Sequence, residues 1–357
     1  MSAATTTALN VRKGFFPLDE QLELKDQRWS EGLAKQAVWL SGLVPYEQAA
    51  EIMQTVGQAD ISASSVWRLA QKWGEKLVAL EAKEQEWANA TPDRKEIQPG
   101  EVRGERPMGL SMDGVMIYIR EEEWKELKVG CVFDVIPRPE LDSKTGEWVE
   151  QGHAVHNSYT CHLGGPEPFG KKLWAEAQRR RFRQAFESEV VADGAVWIWN
   201  LVGDYFYDSH QIVDWYHGTE HLAKAAHLIY GEGTPTAKRW LKDRETVLFQ
   251  GQAGAIAAEL VDWAKQKMAI RDELMSEAGY FDKNKHRMNY MTMREEGWVI
   301  GSGMVESGGK QYKARFAGPG MRWSRDGAEH LLPLRTAILS NRFDQRWKAI
   351  YRNSPKN

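Results

Sequence analysis

The hydrophobic period of this chain changes near residue 107, and that change restricts the folds open to it. Between residues 18 and 92, apolar side chains recur at spacings of three and four, as in "LDEQLELKDQRWSEGLAKQAVWLSGLV" and "YEQAAEIMQTV", the repeat of amphipathic helices. From residue 107 onward, "PMGLSMDGVMIYIR" and "WKELKVGCVFDVI" have strand composition and alternation, and they predict an antiparallel meander of up to three strands. "FGKKLWAEAQRRRFRQAF" then reads as a basic helix, "SEVVAD" as a short buried strand, "GAVWIWNLVGDYF" as a helix and "SHQIVDW" as another short strand. Strands followed by alternating helix and strand imply an α/β fold, a mixed sheet flanked by helices. Strand signals vanish from Tyr216 to about Glu296, and the final stretch, residues 297–357, is again helical.

These shifts divide the chain. Residues 1–17 read as a loose tail without a secretion-signal core, 18–92 as an all-helical region, and 93–106, "DRKEIQPGEVRGER", as a polar linker. Residues 107–215 form the first part of a sheet domain, 216–296 a helical insertion, and 297–357 the closing helices. Within the first helical region, "PYEQAAEIMQTVGQADISASSVWRLAQKWG" carries a helix start at Pro45, a break at Gly57 and a cap at Ser62. This is the arrangement of a helix-turn-helix, whose second helix, about Ala63 to Trp73, would enter a DNA major groove; ordinary helix packing gives the same pattern.

Composition narrows the partners. No apolar run is long enough for a transmembrane helix, and two cysteines, Cys131 and Cys161, exclude a disulfide framework or a four-cysteine zinc site, which fits an intracellular, cytoplasmic location. The net charge of −3 hides an asymmetry: residues 301–357 carry eleven Lys and Arg against four Asp and Glu, while the remainder carries −10. A basic end on an acidic chain is either a solvated helix face or a surface that meets a polyanion.

Three motifs bear on chemistry. "GSGMVESGGKQYK", residues 301–313, has the glycines of a phosphate loop, but Gly309 stands where the lysine should be and Gln311 follows Lys310, so the P-loop pattern fails. "HGTEH" places His217 and His221 one helical turn apart with Glu220 beside them, a zinc-hydrolase pattern that lacks an obvious third ligand. The third motif is a set of separated acids. Asp113 in "LSMDGV" and Asp193 in "VVADGA" each follow an apolar strand, and Glu306 opens a helix on which Lys310 and Lys313 share its face. Such a cluster of hard oxygen ligands suits Mg²⁺ or Mn²⁺, and two ions can hold a phosphodiester between an attacking and a leaving oxygen. Asp204, Asp208 and Asp214 lie near the second acid, and Asp214, which also ends a strand, is the alternative to Asp193.

The order "SMDGV", "VVADGAVWIWN", "IVDWYHGTEHL", "GSGMVESGGK" and "GMRWSRDGAEHLLPLRTAILS" resembles the DDE transposases of bacterial insertion sequences, specifically the ISKra-type group distantly related to Mutator-like elements. The resemblance runs from about Met108 to Arg346, and its last two motifs are the most specific. It implies an RNase H-like fold interrupted by a helical insertion before the catalytic-glutamate helix. It also implies a metal-binding triad of Asp113, Asp193 and Glu306, with Asp214, His217 and His221 in a supporting segment. DNA would be the partner, namely the element's terminal repeats and a target, met by Lys310, Lys313, Arg315, Arg322, Trp323 and Arg325. Two DNA ends imply at least a homodimer. A zinc hydrolase built on the HxxEH run, and a non-catalytic DNA-binding descendant of a transposase, are the alternatives.

Overall fold

A computed structural model describes residues 29–90, 104, 106–141 and 146–352; the expected tail, both ends of the expected helical region (18–28 and 91–92) and most of the expected linker lie outside the described residues. The chain divides into two compact units, one of residues 1–83, 118–123 and 315–357, the other of residues 84–117 and 124–314. Among the described residues no helix is long and apolar enough to cross a membrane.

The first unit is helical. Helix α1 (Glu31–Ser41) starts at Ser30, whose hydroxyl accepts from the Leu33 amide, and α2 (Tyr46–Thr55) follows Pro45. Helix α3 (Ala63–Ala90) begins where Ser62 accepts from the Ser65 amide at 3.3 Å. The expected helix, turn and capped helix are therefore present. The intervening segment runs from Val56 to Ser62, and the second helix extends far beyond Trp73. Toward the chain end, α12 (Arg325–Leu339), capped by Ser324, and α13 (Phe343–Arg352) complete this unit. Trp73 packs at a tilt against Trp347 and stacks on Tyr351, with ring centroids 4.6 and 5.7 Å apart. A side chain at Gly74 would overlap the His330 backbone, so α3 and α12 touch main chain to main chain.

The second unit is α/β. Its strands are β1 (Met108–Ile119), β2 (Glu123–Leu141), β3 (Trp148–Leu163), β4 (Ser188–Ala192) and β5 (His210–Val213), and they form one five-stranded sheet in the order β3-β2-β1-β4-β5. β2 and β3 pair antiparallel; β4 pairs parallel with both β1 and β5. The three residues between β1 and β2 allow only an antiparallel hairpin, because a parallel connection needs a crossover. The sheet is therefore mixed, and β4, an interior strand between β1 and β5, is buried at every position, its polar Ser188 and Glu189 included. Helix α4 (Pro166–Arg179) packs on β3, followed by α5 (Val196–Tyr205) between β4 and β5. After β5 come α6 (Trp215–Tyr230), α7 (Pro235–Phe249), α8 (Ala253–Gln266), α9 (Arg271–Asn284) and α10 (Tyr290–Glu295), all helical as the pattern predicted. Helix α11 (Gly303–Phe316) carries Glu306 in its first turn.

Three of the residues expected to contact DNA are committed inside the first unit. Arg315 is 2% exposed; its Nε donates to the Ser41 carbonyl at 2.8 Å, and its guanidinium lies 5.3 Å from the Tyr46 ring and 5.0 Å from that of Trp323. Trp323 donates through Nε1 to the Phe316 carbonyl at 2.8 Å and pairs its backbone with Ile119. Arg325 forms a two-pronged ion pair with Glu122 and a second one with Glu329 at 2.9 Å. Phosphate contacts were expected of the two arginines and a DNA contact of Trp323, but Arg315 is buried, Arg325 is paired with carboxylates and the Trp323 indole is bonded to the Phe316 carbonyl. Arg322 remains exposed, 5.6 Å over the Tyr118 ring. Replacing Arg315 by Ala should therefore destabilise the fold by about 3 kcal/mol in urea unfolding, from the orphaned Ser41 carbonyl and the space left among the rings. A residue whose role was to touch DNA would leave the midpoint unchanged.

Candidate active site

The parallel pairing of β1 with β4 sets Met108 opposite Ser188, Gly109 opposite Glu189 and Leu110 opposite Val190, an offset of eighty residues. Continued three residues further, the same register brings Asp113 level with Asp193, which directly follows β4. Side chains alternate along a strand, so the two carboxylates fall in the same phase of the pleat. Two acids far apart in sequence are thus carried to the same end of one strand pair.

Helix α11 brings the third acid. Inside it, a side chain at Gly308 would overlap the Tyr159 ring, and one at Gly309 would come within 2.9 Å of Val115 and 3.7 Å of Asp113 Oδ2. The glycine pair therefore lets the helix lie against β1 and β3, directly over Asp113, at the conformational cost glycine carries in a helix. Tyr159 adds a hydrogen bond from its hydroxyl to the Met304 carbonyl at 3.1 Å. Glu306 accepts from the Ser302 hydroxyl at 3.2 Å and faces Lys310 Nζ at 3.7 Å, while both Lys310 and Lys313 are exposed.

The carboxylates differ in what occupies them. Asp113 takes one hydrogen bond, from the Gly114 amide at 2.6 Å, and Asp193 takes one from the Ala195 amide at 2.8 Å, so each keeps free acceptor capacity. Burial pushes the Asp113 carboxyl above its ordinary range; the Gly114 amide works against this, and the charges of Asp193, Glu306 and Glu126 reinforce it. Asp214 is different. It is 2% exposed, caps α6 by accepting from the His217 amide at 2.7 Å, and accepts a short hydrogen bond from the Ser302 amide. Its two oxygens are thereby tied to the backbones of α6 and of the segment leading into α11, which makes it a structural acid and leaves Asp193 as the partner of Asp113.

A buried strap reinforces the same junction. Glu189 on β4 is fully buried and accepts from the Val299 amide at 3.2 and 3.3 Å; burial raises its carboxyl pKa well above the usual range, with the Val299 bond opposing. The Trp215 amide donates to the Ile300 carbonyl at 2.9 Å. Residues 299–302 are thus fastened to β4 and to the end of β5 immediately before the helix that delivers Glu306.

The two histidines of the HxxEH run lie on α6 with ring centroids 5.2 Å apart. His221 Nδ1 meets Glu277 at 2.5 Å and His217 Nδ1 lies 3.7 Å from Glu220, so each faces a carboxylate. Glu277, which also accepts from Lys224 at 2.5 Å, and Tyr280, whose ring stacks on His221 at 3.6 Å, both come from α9 and carry no sequence motif. Among the described residues, no group of three or more His, Cys, Asp or Glu side chains is placed so that it could hold a metal ion. No protein-family model matches the chain, and no curated protein matches it.

Two outcomes follow from this geometry. Asp214→Ala should cost about 2 kcal/mol or more of stability, through loss of a helix cap and of the Ser302 tie. Asp113→Asn should act in the opposite direction. A carboxyl whose pKa is raised by folding favours the folded state below its unfolded pKa and opposes it as pH rises through the folded value. The variant should therefore melt above the parent at neutral pH, and the gap should close as pH falls through the ordinary aspartate range.

Proposed function

We propose that this chain is a DDE transposase that cuts the ends of a mobile element and joins the freed 3′-hydroxyl to target DNA. The observation that carries this reading is the convergence of Asp113, Asp193 and Glu306. Two acids are set level by the β1–β4 register, and the third is on a helix whose glycines press it onto β1. A five-stranded mixed sheet with this order, followed by five helices before the glutamate helix, supports an RNase H-like core with a helical insertion.

The donor set fits Mg²⁺ or Mn²⁺: three carboxylates are hard oxygen ligands, and the mutual repulsion felt at Asp113 is what a bound cation relieves. Asp113, Asp193 and Glu306 would hold it, and when bound it would polarise the phosphodiester and activate the attacking water. The protein's own groups do the rest. Lys310 and Lys313 present exposed ammonium groups one and two turns beyond Glu306, where they attract backbone phosphates with an affinity that salt weakens. Water and then a 3′-hydroxyl serve as nucleophiles, so no covalent protein intermediate is required. A homodimer or higher assembly would bring two DNA ends together.

The test is strand cleavage and joining on a duplex taken from the DNA flanking the gene, in Mg²⁺. Asp113→Asn, Asp193→Asn and Glu306→Gln should each lower the rate by about a hundredfold or more, the scale of a lost metal contact in phosphoryl transfer. A variant that cleaves near the parent rate would remove its residue from the triad.

A further inference from the structure

The phenol of Tyr280 has no role in the fold that its surroundings explain. Its hydroxyl oxygen is shielded from solvent and meets no hydrogen-bond partner among the described residues. Its ring is held firmly: it stacks on His221 with centroids 3.6 Å apart and planes 15° apart, and meets the His217 ring edge-on at 6.2 Å. The ring also meets Gly194, where any side chain would overlap it. The glycine after Asp193 is therefore the space in which this tyrosine sits. Glu277, one turn earlier on α9, fixes His221 through Nδ1 at 2.5 Å and so fixes the surface on which the ring rests.

A buried hydroxyl without a partner is unfavourable, and natural structures rarely keep one without a use. The charged groups facing this one are carboxylates, Asp193 foremost and then Asp214, Glu277 and Glu220. None of them accepts from it, and Asp214 and Glu277 are filled by other donors. A pre-positioned donor beside an acid that would bind metal is suited to an oxygen that arrives with the substrate.

We infer that Tyr280 is a catalytic residue of the proposed site, donating a hydrogen bond from its hydroxyl to a non-bridging oxygen of the phosphodiester held beside Asp193. This rests on the transposase reading. It gives α9, within the helical stretch after β5, a direct part in the reaction, and it assigns Gly194 the task of admitting the ring.

Tyr280→Phe tests it, because the ring and its stacking remain while the hydroxyl goes. The probe is the same flanking duplex, measured for binding in Ca²⁺ and for single-turnover cleavage in Mg²⁺, beside Asp113→Asn and Tyr290→Phe. Tyr290 also carries a buried unpartnered hydroxyl, but it lies in the core, edge-on to Trp215 at 4.9 Å. Tyr280→Phe should cut cleavage by about tenfold or more, the scale of a lost donor to developing charge, with duplex binding weakened less and the melting temperature unchanged or higher. Tyr290→Phe should stay within about twofold of the parent, since it removes no such donor. Parent-like cleavage by Tyr280→Phe, with Asp113→Asn inactive, overturns the role of Tyr280 and leaves the triad standing. Equal losses in both tyrosine variants overturn it in favour of a buried water shared by the two phenols. A parent protein that neither binds nor cuts the duplex with metal sinks the triad and this inference together.

Discussion

Asp214 is the fastening on which one end of the second unit depends. One carboxylate closes the amino end of α6 and reaches the Ser302 amide, so the end of β5, the start of the long helical stretch and the approach to α11 meet at a single buried group. The strap from Val299 to Ser302 then has little freedom, because Glu189 and Trp215 hold its other atoms. Glu306 is placed four residues beyond this anchor. Its position relative to Asp113 is consequently set by backbone hydrogen bonds and buried charge rather than by contacts of its own side chain.

The buried and half-buried acids of this region divide into those that are satisfied and those that are not. Asp214 and Glu277 each receive two hydrogen bonds, and Glu189 holds one amide between its oxygens. Asp113 and Asp193 each take a single local bond and face like charge. That contrast, more than proximity, separates carboxylates committed to the fold from those with acceptor capacity to spare. Unsatisfied, mutually repelling acids persist in a fold only where some other task maintains them.

Much of the architecture was legible because periodicity reports burial. The strands around Asp113 and Asp193, the helices after β5 and the capped helix after Ser62 all follow from spacing and capping residues. What spacing cannot report is which side chains a charge will meet. Arg315 and Arg325 sit in a basic stretch and look like phosphate ligands, yet their partners Ser41 and Glu122 are distant in sequence. Gly308 and Gly309 stand in a stretch with the glycines of a phosphate loop and are instead the contact face of a helix. Tyr280 and Glu277 had no local signature at all, since their importance arises only where α9 meets α6.

The interval of eighty residues between Asp113 and Asp193 has a meaning that its value obscures. The two acids are level because two strands run side by side, while the chain between them travels through a long hairpin and a helix before returning. Lengthening the far end of that hairpin would change the count and leave the carboxylates where they are. Relatives of such a chain would then keep the geometry while losing the spacing, and a search keyed to fixed intervals between acids would pass them by. The ruler appropriate to this site is ladder position, counted in rungs from a shared strand pair.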